Sequence, residues 1–347
     1  MKKRLVSLVT ACGLALSLAA CGGAGSEPAA SSEAASSETT ASSEAAASEE
    51  ASAGAAHYTI GICQLVQHDA LDAATQGFQD ALNEALGEEN ITWDLQNAQN
   101  DTATCATITN AFVAAGVDLI MANGTAALQS AQAATSEIPI LGTSITEYGV
   151  ALGIDGFDGT VGTNISGTSD LAPLDEQAAM IQELFPDAST VGLLYCSAEP
   201  NSQYQVDTVQ GYLEELGYTC TQYAFSDSND LSSVCQGAAD ASDVIYIPTD
   251  NTCANNTELI NNICYGKVPV VAGEEGICSG CGVATLSIDY YELGELTGEM
   301  AYEILVNGAN PGEMEVQPAP NFTKMYNTAN AEALGVTIPD DYEAIAE

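Results

Sequence analysis

Tyr58-Thr-Ile-Gly-Ile-Cys63, then Asp69-Ala-Leu-Asp-Ala-Ala-Thr-Gln-Gly-Phe-Gln-Asp-Ala-Leu-Asn-Glu-Ala-Leu86, then Ile91-Thr-Trp-Asp-Leu95, is the stretch that decides the fold. The first and third pieces are short apolar runs of strand length. The middle piece places Leu71, Ala74, Phe78, Ala81, Leu82 and Ala85 on one helical face. A strand, an amphipathic helix and a second strand in that order make a βαβ unit, whose strands must be parallel.

The rhythm continues outward. A helix is predicted over Thr102–Ala115, a strand over Val117–Met121 and a helix over Thr125–Ser136. A strand over Pro139–Leu141 then runs out into Gly142-Thr-Ser-Ile-Thr146. A stretch rich in Gly, Asn, Thr and Ser follows from Gly159 to Asp170, after which the same alternation restarts. Helices are predicted over Asp175–Phe185, Asn201–Leu216, Leu231–Ala239 and Asn255–Tyr265. Strands are predicted over Thr190–Tyr195, Thr219–Phe225, Val244–Ile247, Val268–Val271 and Gly282–Leu286. A last helix spans Tyr291–Val306, and an extended segment lies around Phe322–Asn327. The fold class is therefore α/β, with two Rossmann-like, doubly wound lobes and a cleft between them. Residues 57–166 with about 288–318 form the first lobe, and 167–287 with about 319–347 the second.

Before the folded part stand Lys2, Lys3 and Arg4 and an apolar run from Leu5 to Ala20. The run is shorter than the roughly 20 apolar residues needed to span a bilayer, and reads as a signal peptide over residues 1–20. Leu18-Ala-Ala-Cys21 resembles the lipobox of bacterial lipoproteins, which implies a palmitate-type lipid on Cys21 as the new N-terminus. Residues 21–56 are almost entirely Ser, Ala, Glu and Gly, a composition that cannot bury enough apolar surface to offset chain entropy, so a disordered tether is expected. The expected location is the outer face of the bacterial cytoplasmic membrane, held by the lipid anchor alone.

All 48 acidic residues lie beyond the signal, where only Lys267 and Lys324 are positive, leaving the mature chain at −46. Nucleic acid and anionic lipid are excluded as partners by that field. With no arginine after Arg4, a bound carboxylate must be held by backbone N–H groups, helix N-termini and hydroxyls. No Gly-x-Ser-x-Gly elbow and no P-loop is present, so no enzyme activity and no cofactor are expected. Nine cysteines follow Cys21. Most stand in apolar contexts and read as buried thiols. Cys278-Ser-Gly-Cys281 leaves a disulfide, a redox pair or half a metal site open, although only His57 and His68 could complete a metal site.

In open parallel sheets the ligand sits beyond the carboxyl ends of the strands. The loops there are 64–69, 123–125, 143–146, 197–202, 249–251 and 273–275, nearly all amide- or hydroxyl-rich and leading into helices. Ile60-Gly-Ile-Cys-Gln-Leu-Val-Gln-His-Asp-Ala-Leu-Asp72 with Gln76-Gly-Phe78 resembles the opening of one branch of the ABC-transporter substrate-binding proteins, a branch that includes tryptophan and tyrosine uptake lipoproteins. Thr168-Ser-Asp170, Glu199-Pro-Asn-Ser202 with Gln205-Val206, Pro248-Thr-Asp-Asn251 and Asp289-Tyr-Tyr-Glu-Leu-Gly294 extend the resemblance across residues 57–340.

The resemblance implies a periplasmic-binding-protein type I fold that closes on a small amino acid-like solute and presents it, as a monomer, to an ABC permease. It implies a cleft built from Gln64, His68, Asn123, Gly124, Thr125, Thr143 and Ser144 of the first lobe. Asn201, Ser202, Thr249, Asp250, Asn251 and Glu274 face them from the second. Asp250 is expected to hold an α-ammonium, and Thr125, Thr143, Ser144 and backbone amides a carboxylate. Tyr148, Phe157 and Tyr204 are candidate aromatic walls. Hinges are expected near 167–170 and 286–289. The alternatives are an extracellular sensor domain and, on Cys278 and Cys281, a thiol-redox or metal lipoprotein.

Overall fold

The computed structural model describes residues 56–346; the signal peptide, Cys21 and nearly all of the tether lie outside them. In chain order the first elements are β1 (Tyr58–Gln64), α1 (Asp69–Leu86), β2 (Ile91–Asn97), α2 (Thr102–Ala115), β3 (Leu119–Asn123), α3 (Thr125–Ala134), β4 (Ile140–Ile145), α4 (Tyr148–Leu152) and β5 (Ile165–Ser169). Then come α5 (Leu174–Leu184), β6 (Thr190–Cys196), α6 (Pro200–Glu215), β7 (Thr219–Phe225), α7 (Ser228–Ala241), β8 (Val244–Ile247), α8 (Asn251–Ala254), α9 (Thr257–Cys264), β9 (Val270–Ala272), α10 (Glu275–Cys281) and β10 (Ala284–Ser287). The chain finishes with α11 (Tyr290–Leu305), β11 (Gln317–Pro318), β12 (Thr323–Tyr326), α12 (Thr328–Leu334) and β13 (Glu343–Ala344).

Two sheets result. The first has the order β11-β5-β4-β3-β1-β2 and the second β13-β12-β10-β9-β8-β6-β7. All pairings are parallel except β10 with β12. The inner strands read as continuous apolar runs because helices cover both faces. Ile60, Ile62, Leu119, Ile120 and Met121 in one sheet, and Ile245 and Tyr246 in the other, are fully buried. Three crossovers join the sheets: Ser169 to Leu174, Ser287 to Tyr290, and Pro318 to Thr323.

The Gly-rich stretch 159–170 departs from its reading as a connection: it contains β5, which carries the first sheet on to Ser169. Polar Ser and Thr residues hid the strand, whose hydroxyls are consumed inside the lobe. Thr168 Oγ1 lies 2.8 Å from Thr297 Oγ1 and 3.2 Å from Thr143 Oγ1, closing a buried three-hydroxyl cluster under α11. The second half of α10 carries the Cys278-Ser-Gly-Cys281 pair.

Gln76-Gly-Phe78 and Glu292-Leu-Gly294 have a packing explanation. A Cβ on Gly77 would stand 2.1 Å from Tyr291 O, and one on Gly294 2.1 Å from Ala74 O. Only glycine lets α1 and α11 approach this closely, and that contact fixes the crossover at Tyr290 against the first lobe.

Candidate functional site

Between the lobes, beyond the carboxyl ends of the strands, lies a narrow pocket whose free cavity is about 20 Å³. Its first-lobe wall is the β1–α1 turn, with His68, Ala70 and Leu71, together with Ser144 on β4. The second lobe contributes Asn201, Thr249, Asp250, Asn251 and Glu274, and two crossovers add Asp170 and Tyr290.

Each polar group here is positioned by its local fold. A register shift between Gly142 and Ile145 bulges β4 against β5, and Ser144 sits at φ 55°, a left-handed conformation unusual for a residue other than glycine. The bulge turns the Ser144 hydroxyl into the pocket, where it is buried without a hydrogen-bond partner. Asp170 lies where the chain leaves β5. Its Oδ2 accepts from Tyr290 Oη at 3.0 Å, while its Oδ1 is buried with no partner. Burial pushes this carboxyl up to about 6. His68 is the N-cap of α1 but makes no side-chain cap, so the N-terminal N–H groups of that helix stay open beside Ala70 and Leu71.

The remaining acids serve the backbone. Asp250 Oδ1 accepts from Cys253 N at 2.8 Å and Oδ2 from Cys196 N at 2.7 Å, so both oxygens are committed to capping α8 and tying it to β6. Asp250 thus lines the pocket with both oxygens already accepting backbone N–H groups, whereas Asp170 carries a buried carboxylate oxygen without a partner. Glu274 caps α10 through the N–H groups of Gly276 and Ile277, and burial pushes it up to about 7.

Six expected site residues face elsewhere. Gln64 bonds Val66 O, Asp72 and Thr75, and Asn123 bonds Leu71 O and Thr75, a network that seats α1 on the sheet. Gly124 (φ 99°) and Thr125 start α3 behind Leu65. Thr143 belongs to the three-hydroxyl cluster, which corrects its assignment to a carboxylate. Buried Ser202 Oγ accepts from Asn201 Nδ2 at 3.4 Å. The aromatic walls are corrected too. Tyr148 is core, donating to Gly142 O and Thr168 O, with Phe157 stacked on it at 6.2 Å. Tyr204 packs in the second lobe's core. Tyr290 is the aromatic residue on the pocket. Asp170 and Tyr290 had a signal: Asp170 falls in an expected hinge and the Thr168–Asp170 motif, and Tyr290 in the Asp289–Gly294 motif.

The lobes touch across the pocket. His68 Nε2 lies 3.2 Å from Asn251 Oδ1, and Asn100 Nδ2 donates to Thr252 Oγ1 at 3.0 Å. Among the described residues all nine cysteines are free and no cluster of three or more His, Cys, Asp or Glu could hold a metal. Cys278 and Cys281 are buried on α10 with their thiols pushed up by burial, an inert setting rather than a redox pair.

Residues 59–347 match the model of the ABC transporter substrate-binding protein family. The chain belongs to this family. Among relatives of this substrate-binding protein, a tyrosine-binding protein of Clostridioides difficile is 34% identical over 281 residues, covering 79% of this chain and 80% of the relative. A Streptococcus pneumoniae domain in complex with L-Trp superposes with a TM-score of 0.80 at 30% identity, covering 84% of this chain and 100% of that one. The ligand-free, open structure of a Clostridium difficile substrate-binding protein with adhesive properties scores 0.65 at 35% identity, covering 83% and 99%. The substrate-binding protein thus lies nearer in shape to the ligand-bound relative than to the open one, although its sequence is nearer to the latter. That agrees with the direct bonds between its lobes. Solute-binding protein structures at 13–14% identity, among them ones with bound myo-inositol and L-rhamnose, share the two-lobe fold. Proteins of this family act outside the cytoplasm, and among the described residues no helix is long and apolar enough to cross a membrane.

Proposed function

We propose that this protein captures a zwitterionic amino acid with an aromatic side chain in the interlobe pocket and delivers it to an ABC permease. The observation that carries the reading is one pocket holding both an unpartnered buried carboxylate oxygen, Asp170 Oδ1, and an uncapped helix N-terminus, that of α1. The first suits an α-ammonium. The second, with the Ser144 hydroxyl, suits a carboxylate without needing an arginine. Tyr290, Leu71 and Ala254 supply apolar surface for the side chain, and the tyrosine-binding and L-Trp-bound relatives support an aromatic one.

No covalent chemistry is assigned to the protein: it binds and releases. Closure pivots on the three crossovers, with residues 57–166 and about 288–318 moving against the rest. Ligand contacts to both lobes favour the closed arrangement. The chain is tethered as a monomer to the outer membrane face through lipid on Cys21, with residues 22–56 as the spacer.

Thermal unfolding against a panel of L-amino acids, sugars and nucleosides tests the reading. A ligand at 100 times its Kd adds about 2.7 kcal/mol of stability. L-Trp, L-Tyr or L-Phe are expected to raise Tm and the sugars not; a rise with sugars alone contradicts the reading.

A further inference from the structure

Glu199 is the N-cap of α6 but spends its carboxylate on another helix. Oε2 accepts from Asn251 N at 2.9 Å and Asn251 Nδ2 at 2.8 Å. Oε1 accepts from Thr252 N at 2.9 Å and Thr252 Oγ1 at 2.7 Å. The residue is 8% exposed and does not line the ligand pocket. Asn251 and Thr252 are the two second-lobe residues that meet His68 and Asn100 of the first lobe.

The carboxylate fixes the polarity of these two cross-lobe bonds; a further one, Gln205 Nε2 donating to Thr146 Oγ1 at 3.3 Å, does not involve it. Because Asn251 Nδ2 donates to Glu199, its Oδ1 is left facing His68, so the imidazole must donate from Nε2. Because Thr252 Oγ1 gives its single proton to Glu199, its lone pairs are left for Asn100 Nδ2. A carboxylate acts only as an acceptor, and no neutral side chain can take four donors in this arrangement. From the other side, Asn100 is held at φ 61° with its N–H on Leu65 O, which points its amide across the cleft.

We infer that Glu199 is a positioning residue that latches the closed lobes, setting the open–closed equilibrium without touching the ligand. This rests on the reading that a ligand in the pocket favours closure. In Glu199→Gln one oxygen becomes an NH2 that opposes two donors, so Asn251 or Thr252 must turn, and both cross-lobe bonds weaken. Asn100→Gly removes one bond at a half-buried site while keeping the left-handed backbone comfortable.

Two readouts on the mature chain test the latch: the radius of gyration by small-angle scattering without ligand, and the Kd and off-rate for L-tyrosine and L-tryptophan. Glu199→Gln is expected to expand the ligand-free protein and weaken binding about tenfold to a hundredfold, mostly through faster release. Asn100→Gly is expected to do the same less strongly. The double variant should lose less than the product of the two single losses, because both act on one contact. A merely structural Glu199 would give multiplicative losses and an unchanged radius, which overturns the inference. Unchanged radius and Kd in folded Glu199→Gln overturn it too. If that variant does not fold, wild-type radius and off-rate in Asn100→Gly do so instead. Should neither amino acid bind the wild type while the ligand-free radius still responds, the latch stands and the assignment of ligand falls.

Discussion

Replacing Asp170 by Asn should separate binding from stability, because the carboxylate opposes the fold and serves the ligand. In the empty protein Oδ2 takes the Tyr290 hydroxyl at 3.0 Å and Oδ1 is buried without a partner. Burial moves the group from 3.8 up to about 6, so keeping it ionised at pH 7 costs roughly 3 kcal/mol. Asparagine keeps the acceptor for Tyr290 and removes that cost, although its NH2 must then find an acceptor in the pocket, an offset of about 1–3 kcal/mol. The ligand-free variant should therefore be as stable as wild type or up to about 2 kcal/mol more stable. Binding should move the other way. Removing the charge that meets a buried ammonium costs about 2–5 kcal/mol, a rise in Kd of about 30-fold to several thousandfold. Titration calorimetry with L-tyrosine and thermal unfolding without ligand, on the same preparations, read both quantities. A variant that binds with the wild-type Kd refutes the assignment of Asp170. A variant that is destabilised and loses binding in proportion refutes the separation.

Affinity should fall as pH drops below about 6, becoming about tenfold weaker at pH 5 than on the plateau above pH 7, since ammonium binding requires ionised Asp170. Ligand-free stability should run oppositely. Glu274 is pushed up to about 7, above its unfolded value of about 4.3, so it favours folding when protonated. That stability is full below about pH 4 and is lost as pH rises through 7; a Tm that climbs over this range contradicts it. Asp250→Ala orphans the buried N–H groups of Cys196 and Cys253 and should cost about 2–4 kcal/mol of stability in chemical denaturation. Thr143→Val breaks the three-hydroxyl cluster and should cost about 1 kcal/mol. Its Kd for L-tyrosine should stay at the wild-type value, and a loss beyond about tenfold returns Thr143 to the ligand.

Strands β1, β6 and β8 were legible because continuous apolar runs of strand length admit few other uses, and β2 and β7 because β-branched and aromatic residues recur in short mixed runs (Ile91, Thr92 and Trp93; Thr219, Thr221, Tyr223 and Phe225). β5 was not, since Ile165-Ser-Gly-Thr-Ser169 spends its polar side chains inside the lobe, where only tertiary partners reveal their burial. The site divides in the same way. Position beyond a strand end was readable, and it brought His68, Ser144, Asn201, Thr249 and Asn251 to the pocket wall. Side-chain role was not. Asp250 and Asp170 are both acids beside strand ends, and what separates them is whether backbone N–H groups already fill their oxygens. Gln64, Asn123 and Thr143 are amides and hydroxyls of the expected kind, turned inward by partners elsewhere: Thr75 for the two amides, Thr168 and Thr297 for Thr143.

Calorimetric titration of the wild-type mature chain with L-tyrosine, L-tryptophan, tyramine and 3-(4-hydroxyphenyl)propanoate tests the central claim most directly. Tyramine lacks the carboxylate assigned to α1 and Ser144; the propanoate lacks the ammonium assigned to Asp170. Saturable one-to-one binding of an L-amino acid, with each analogue weaker by tenfold or more, is the predicted result. Equal affinity for the amino acid and the propanoate, or no binding of either amino acid, contradicts a pocket built for a zwitterionic aromatic amino acid.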